Sequence, residues 1–437
     1  MQADKTTLSD LSIFNHEEEL SVFHHLNFTH TNEGREHLRL LLSKPLDSLA
    51  TIMDAQKTIQ QLQSVSSKWP ATITNGTIMV VERFFDTQVN TYPNHPTAIS
   101  SFFYKLVNNP DYAITRYTVD HCISFVKGMQ QVVDVLHEPA SNHLQVNVGR
   151  IKLLLHKPMV QQMLQREKKQ VLTPVEVLKF GNFLRYSFKH ELYELVTIYS
   201  KLDAYLSLAT ACTKYGFCFP QFKESAQPFI AAEGLYHLLL DIPVSYMVQL
   251  NKESNFLFLT GANMAGKSTF IKAVGIGVYL AHIGMGVPAK EMQLSLFDGL
   301  LSNIQVADNI IKGESYFFNE VQRIKSTIEK ISDGKKWLIL IDELFKGTNV
   351  QDAMKCSTTV IEGLRKMDNA LFVLSTHLYE IGDSLKQYSN IQFRYFETSV
   401  ANEQLVFSYQ LKEGISNDRL GYLILKKEGV VQMLEKL

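Results

Sequence analysis

The hydrophobic pattern of the chain changes near residue 240. From about residue 10 to residue 235, apolar residues recur at helical spacing with few glycines, as in the stretch from Leu46 to Leu62. After residue 240 the pattern changes to short β-rich runs that alternate with helical ones. Such alternation is typical of α/β layering. We therefore predict a mainly helical core or lever domain over residues 1–235, followed by an α/β domain over residues 236–437.

Several segments permit a finer prediction. Segments 98–137 and 173–213 are long and nearly free of proline, so each predicts one long helix or two shorter helices in series. The runs FLFLT at 256–260, WLILI at 337–341 and ALFVLST at 370–376 predict parallel strands. The two alternating runs in 391–414 predict an antiparallel hairpin that precedes a closing helix.

Composition and charge exclude few functions. Hydrophobic residues make up 45% of the chain and charged residues 20%, which is typical of a globular protein. With 43 Lys and Arg against 44 Asp and Glu, the chain is not basic enough to indicate nucleic acid by itself. The richest basic stretch, 151–200, is either a solvated helix face or a source of phosphate contacts. No signal peptide and no apolar run of about 18 residues is present, so we expect a cytoplasmic protein without a membrane span.

The segment after FLFLT has the spacing of a phosphate-binding loop, G-x-x-x-x-G-K-[ST]. Its glycines permit a tight turn toward phosphate oxygens, and the following helix adds its positive dipole end. We predict that Lys267 contacts the β- and γ-phosphates of ATP and that Ser268 supplies a hydroxyl to Mg²⁺. The predicted nucleotide-binding residues are Gly261, Ala262, Asn263, Met264, Ala265, Gly266, Lys267, Ser268 and Thr269.

The apolar strand WLILI ends in two adjacent carboxylates, Asp342 and Glu343. A buried parallel strand would place them at the carboxyl edge of the sheet, near the phosphate loop. Asp342 is suited to coordinate Mg²⁺ directly or to hold one of the ligands of the ion, and Glu343 is suited to orient or deprotonate the attacking water. Without the phosphate loop, the same pair would equally indicate exposed acids at the end of a strand.

Five segments follow one another in a fixed order: TGANMAGKST at 260–269, GMGVPAK at 284–290, GESYFFNE at 313–320, DELFKGTN at 342–349 and STH at 375–377. In this order they resemble the ATP-binding-cassette class and, within it, the MutS family of DNA mismatch-repair ATPases. The resemblance extends upstream to TLSDLSIF at 7–14 and so covers nearly the whole chain. It implies an ABC-type P-loop ATPase and dimerisation domain after the helical core.

The resemblance also implies roles for single residues. It implies a homodimer with nucleotides sandwiched between the subunits, in which Ser315 completes the site of the opposite subunit. Alternatively, Ser315 is the N-cap residue of a helix. The resemblance implies that His377 contacts the γ-phosphate, although a histidine at a strand end is often structural. Asn263 would reach the γ-phosphate or the water, and Asp308 lies where the family couples nucleotide state to the helical arm.

Two departures from the family pattern change the expectation. Where the family usually has an aromatic residue that stacks on adenine, this chain has Ile242 to Tyr246, and Tyr246 either replaces that residue or packs inward. The chain also begins at what resembles the helical core, so we expect no mismatch recognition by the family's N-terminal module.

The leading hypothesis is a homodimeric, Mg²⁺-dependent ATPase that couples ATP binding and hydrolysis to clamping on DNA. The alternative is an ATP-switched protein-interaction module that does not bind DNA. A small-molecule kinase is the weakest candidate, because it would not need the Ser315 segment or a long helical half.

Overall fold

The computed structural model describes residues 1–167, 171–304, 316–401, 404–416 and 430–434. Its α-helices are α1 Lys5–Asp10, α2 Val22–Leu26, α3 Asn32–Ser43, α4 Leu49–Val65, α5 Asn75–Asp86, α6 Ala98–Val107, α7 Asn109–Val135, α8 Asn142–Leu155, α9 Pro158–Leu164, α10 Pro174–Asn182, α11 Lys189–Tyr215, α12 Lys267–Ile283, α13 Tyr316–Ile331, α14 Val350–Leu364, α15 Ile381–Leu385 and α16 Val430–Leu434. Its strands are β1 Gln2–Ala3, β2 Gln221–Phe222, β3 Ile230–Leu235, β4 Tyr246–Leu250, β5 Phe256–Thr260, β6 Glu291–Leu294, β7 Gly299–Asn303, β8 Trp337–Asp342, β9 Ala370–Ser375, β10 Ile391–Ala401 and β11 Gln404–Glu413.

The chain forms two compact units, one helical and one α/β. The helical unit consists of residues 26–43 and 54–214, and the α/β unit of residues 1–25, 44–53 and 215–437. A helical domain and an α/β domain are therefore confirmed. Their bounds differ from the predicted single boundary at residue 235, because residues 1–25 belong to the α/β unit, where β1 pairs with β7.

Two 27-residue helices, α7 and α11, dominate the helical unit. The segments predicted as one long helix or two in series contain two in series: α6 precedes α7, and α10 precedes α11 across a π-helical turn at Phe183–Ser187. Thr173 and Glu176 begin α10 with a capping box, and Pro174 occupies its first turn. Inside the unit, the buried carboxylate of Asp203 accepts hydrogen bonds from the backbone just before α3.

A seven-stranded sheet forms the centre of the α/β unit among the described residues, in the order β1-β7-β8-β9-β5-β10-β11. All its neighbours pair in parallel except β10 and β11, which form the predicted antiparallel hairpin. Strands β5, β8 and β9 are buried at every position, and this explains why their sequences are continuously apolar. Their carboxyl ends carry the predicted phosphate loop (residues 261–268), the paired acids and the STH segment.

Two parts of the α/β unit have weak sequence signals. Strand β1 pairs Gln2 with Gly299 at the edge of the large sheet. A four-stranded sheet in the order β2-β6-β3-β4 combines one parallel and two antiparallel pairs. None of the described helices has the length and apolar character that crossing a membrane requires.

Candidate functional site

The phosphate loop connects β5 to α12 and depends on backbone conformations that glycine provides. Gly261 has φ +140° and Gly266 has φ +109°. A Cβ atom on Gly261 would lie 3.2 Å from both the Cβ and the carbonyl oxygen of Phe396, so a side chain there would meet both steric and backbone strain. Met264 also has a positive φ, at the tip of the loop.

Lys267, the first residue of α12, is only 5% exposed. Its Nζ donates hydrogen bonds to the carbonyl oxygens of Gly261 (2.8 Å) and Ala262 (3.0 Å). Burial lowers the pKa of Lys267 to about 8, and the negative charges of Glu343 and Asp342 only partly oppose that effect. The ammonium group is thus held at the loop in a place where a nearby anion would stabilise its charged form.

Asp342, the last residue of β8, is held between two hydroxyl groups. Its Oδ2 accepts a hydrogen bond of 2.5 Å from Ser268 Oγ at the start of α12, and its Oδ1 accepts one from Ser375 Oγ at the end of β9. The register of the sheet places Asp342 opposite Ser375. A carboxylate beside a serine hydroxyl provides the hard oxygen ligands that Mg²⁺ prefers. Water and phosphate oxygens would supply the remaining ligands of the ion.

Glu343 follows directly and is held by a histidine and a lysine. Its Oε1 lies 2.6 Å from His377 Nε2, and its Oε2 lies 3.2 Å from Lys346 Nζ. Burial alone raises the pKa of Glu343, but the hydrogen bond and charge of His377, together with Lys346, outweigh burial and lower the pKa to about 2. Glu343 is therefore ionised throughout the neutral range.

The loop that carries Glu343 has an unusual backbone. Glu343 has φ +66° and Phe345 has φ +59°, and a positive φ costs a non-glycine residue about 1–2 kcal/mol. From α13, the Glu320 carboxylate accepts hydrogen bonds from the backbone N–H groups of Lys346 (3.1 Å) and Gly347 (3.2 Å). These bonds to a charged acceptor are of the order of 1.5–3 kcal/mol each, which is enough to offset the strain.

A cleft of about 460 Å³ lies over these groups, which is large enough for a small ligand. It is lined by Leu240, Ile242, Val244, Tyr246, Asn263, Met264, Gly266, Lys267, Ser268, Thr269, Glu343 and Tyr409. Of the remaining predicted loop residues, Ala262 and Ala265 are buried beneath the turn.

Tyr246 packs inward at the wall of this cleft. Only 6% of the residue is exposed, and its ring meets those of Phe270 and Phe396 edge-on at 5.2 and 5.8 Å. Tyr409 on β11 is 42% exposed, and Ile242 is 92% exposed. Neither Tyr409 nor Ile242 was assigned a binding role from the sequence. The alternation of apolar and polar residues in 391–414 predicts a hairpin, but it does not indicate that the second strand, which carries Tyr409, borders the phosphate loop.

Two residues singled out from the sequence, Ser315 and Asp308, lie outside the described residues. The described part of the GESYFFNE segment begins with Tyr316, the first residue of α13. The structure thus brings together the loop, Lys267, Ser268, Asp342, Glu343 and His377. The contribution of Ser315 stays a prediction.

Comparison with known proteins gives the same family as the motif order. Residues 257–434 match the family model MutS domain V. The relatives include the DNA mismatch repair protein MSH3 of Candida glabrata, 29% identical over 282 residues, which are 59% of this chain and 27% of that protein. The DNA mismatch repair protein MutS of Pseudothermotoga lettingae is 27% identical over 52% of this chain and 28% of its own length.

The human MutS protein homolog 4 is 31% identical over 245 residues, 54% of this chain and 25% of that protein. The matched regions thus span only about a quarter of these relatives' lengths. The family-model match over residues 257–434 includes the predicted phosphate loop, the paired acids and the STH segment. The domain match, these relatives and the motif order identify this chain as a MutS-like protein whose residues 257–434 match MutS domain V.

Proposed function

We propose that the chain is a Mg²⁺-dependent ATPase with an ABC-type P-loop domain. The observation that carries this proposal is that Lys267, Ser268 and Glu343 line one cleft, with Asp342 hydrogen-bonded to Ser268. A buried cation, a hydroxyl–carboxylate pair and an ionised carboxylate provide the groups that phosphoryl transfer to water requires. The match to MutS domain V and the cleft volume of about 460 Å³ both support a nucleotide ligand.

Each group has a role in this proposal. Lys267 exchanges its carbonyl partners for β- and γ-phosphate oxygens. Ser268 and Asp342 would hold Mg²⁺, which would supply positive charge to neutralise the phosphates. Glu343 orients the attacking water. Its pKa of about 2 makes it a weak base while His377 and Lys346 contact it, and this favours orientation over proton removal. His377 then turns from Glu343 to the γ-phosphate.

We further propose that the active form is a homodimer with composite nucleotide sites, completed by Ser315 of the opposite subunit. The hydroxyl of Ser315, the residue that precedes α13 in the sequence, would meet the γ-phosphate of ATP, which ADP lacks. ATP would then join the two subunits and hydrolysis would release them. Helices α7 and α11, each 27 residues and so about 40 Å long, have the length expected of levers that move with this closure.

Two substitutions test the proposal because they affect different steps. Lys267→Ala should weaken ATP binding by at least about a hundredfold, since a buried cation that faces phosphate is lost. Glu343→Gln should bind ATP with nearly wild-type affinity, hydrolyse it at least about a hundredfold more slowly and accumulate as a dimer. Calorimetry, phosphate release and light scattering measure these effects. Equal loss of ATP binding in both variants would contradict the assigned roles, and no nucleotide affinity in the wild type would refute the ATPase.

Clamping on DNA is the proposed use of this cycle, in accordance with the names of the relatives. One observation favours the alternative, an interaction module that does not bind DNA. Several basic side chains of 151–200 are already engaged within the helical unit: Lys157 with Glu191, Arg166 with Glu176, and Arg185 with the carbonyl oxygens of Phe84 and Thr87. Contact with DNA phosphates would compete with these partners.

A gel-shift experiment separates the two uses. Duplex, branched and single-stranded DNA are tested at several salt concentrations, with and without a non-hydrolysable ATP analogue. Salt-sensitive binding supports the clamp, because phosphate contacts release counterions. Absence of binding at low salt in every nucleotide state supports the module without DNA.

A further inference from the structure

Glu320 is a buried carboxylate without a role in the ATPase reaction proposed above. It lies on α13, five residues after Ser315, and is 5% exposed. Both oxygens of its carboxylate are engaged by the loop after Glu343: Oε1 accepts from the N–H of Lys346 and Oε2 from that of Gly347. A buried carboxylate with two backbone donors fixes the position of those donors closely.

The same face of α13 holds the loop at a second point. The ring of Phe317, three residues before Glu320, lies 5.7 Å from the ring of Phe345. Residues three apart share a helix face, so the ring and the carboxylate act on one short segment. That segment contains two non-glycine residues with positive φ, Glu343 and Phe345. Contacts from outside the loop thus hold it in a conformation that its own residues do not favour.

The helix that supplies these contacts is itself anchored to the sheet. From the next turn of α13, Arg323 donates a hydrogen bond of 2.6 Å to the carbonyl oxygen of Ser302 and another to Asn303 at the end of β7. The Arg323 guanidinium also lies 3.5 Å from the buried carboxylate of Asp10. Ile324 is buried against the hydrophobic core of the sheet. Glu320 therefore extends from a fixed support.

We propose that Glu320 is a positioning residue for ATP hydrolysis. By holding the N–H groups of Lys346 and Gly347, it keeps the loop in the strained conformation that places the Glu343 carboxylate beside the phosphate loop. Glu320 touches neither nucleotide nor water in this proposal and acts through Glu343. The proposal rests on the ATPase function proposed above. It goes further by connecting α13, which begins directly after Ser315, to the carboxylate that acts in hydrolysis.

The first test measures the hold on the loop and does not depend on ATPase activity. Hydrogen exchange of the peptide that contains residues 343–349 is followed in nucleotide-free protein. Glu320→Ala should speed exchange at the Lys346 and Gly347 amides by about tenfold or more, whereas Glu320→Gln, which keeps an acceptor oxygen, should have an intermediate effect. Glu329→Ala is the matched control, because Glu329 lies on the same helix and its side chain is 67% exposed. Unchanged exchange in Glu320→Ala overturns the proposal.

The second test measures the consequence for hydrolysis. Glu320→Ala should lower kcat by about tenfold or more while changing the Kd for ATP by less than about threefold, and Glu320→Gln should recover part of kcat. Glu329→Ala should retain wild-type values. A Glu320→Ala protein with loosened loop amides and wild-type kcat overturns the positioning role. If the wild type does not hydrolyse ATP, the ATPase proposal fails, and the exchange experiment still reports separately whether Glu320 holds the loop.

Discussion

ATP binding should depend on pH through Lys267, and this dependence is a sharp test of the phosphate-loop geometry. In the free protein, burial lowers the pKa of this lysine to about 8. Phosphate oxygens placed beside the ammonium would raise that pKa again, because an opposite charge favours the protonated form. ATP binding should therefore take up protons above neutral pH.

The size of the effect follows from the pKa of about 8. Protonated Lys267 makes up about three quarters of the molecules near pH 7.5 and about one tenth near pH 9. If the bound form stays protonated over this range, the affinity should fall roughly eightfold, or about 1.3 kcal/mol. The sign is fixed: affinity is fully present below the pKa of the free protein and is lost as the pH rises through it.

Titration calorimetry with a non-hydrolysable ATP analogue at constant Mg²⁺ checks this prediction. Measurements in two buffers with different ionisation enthalpies give the number of protons taken up at each pH. Lys267→Arg should remove the dependence, because arginine stays charged over this range. Lys272→Arg, on the same helix, should retain it. Equal affinity near pH 7.5 and pH 9 without proton uptake in the wild type would refute the inferred contact between Lys267 and the phosphates.

Three further predictions concern stability. Gly261→Ala should destabilise the α/β unit by roughly 2–4 kcal/mol in thermal unfolding, because the φ of Gly261 is strained for alanine and the new Cβ meets Phe396. The control Gly363→Ala should be neutral or slightly stabilising, because its new Cβ meets no atom within 4 Å. Asp203→Ala should cost the helical unit about 3 kcal/mol in urea unfolding, because it leaves buried backbone donors without their acceptor. The hydrogen bond to Asp203 raises the pKa of His30, so the stability that this pair contributes should be full below pH 6.5 and decline as the pH rises through the raised pKa. If His30→Ala changes the free energy of unfolding by the same amount at every pH, this prediction is wrong.

The parts of the fold that were predicted correctly depend on local patterns. FLFLT, WLILI and ALFVLST are continuously apolar because both faces of β5, β8 and β9 are covered, and their residues could be identified without knowledge of distant contacts. The spacing of the phosphate loop and the paired acids also lies within single short segments. Parallel strands bring their carboxyl ends to one edge, so the proximity of Ser268 and Asp342 follows from topology.

Other features depend on pairs of residues far apart in the chain. Sequence reasoning gave no role to Glu320, because its partners at Lys346 and Gly347 belong to another motif. Tyr409 was missed because its place in the cleft depends on a hairpin edge next to the phosphate loop. Strand β1 has only two residues and no periodicity to detect. These contacts result from tertiary packing, and the local pattern of apolar and polar residues does not predict them.

The pairing of Gln2 with Gly299 has a consequence for biosynthesis. A ribosome that adds about 5–20 residues per second emits the first strand roughly 15–60 seconds before its partner exists. The nascent chain must therefore keep its first segment available while the long helices are completed. Closing the edge of the large sheet is then a late event in folding, and nascent chains released before β7 emerges should have residues 1–13 open to proteases.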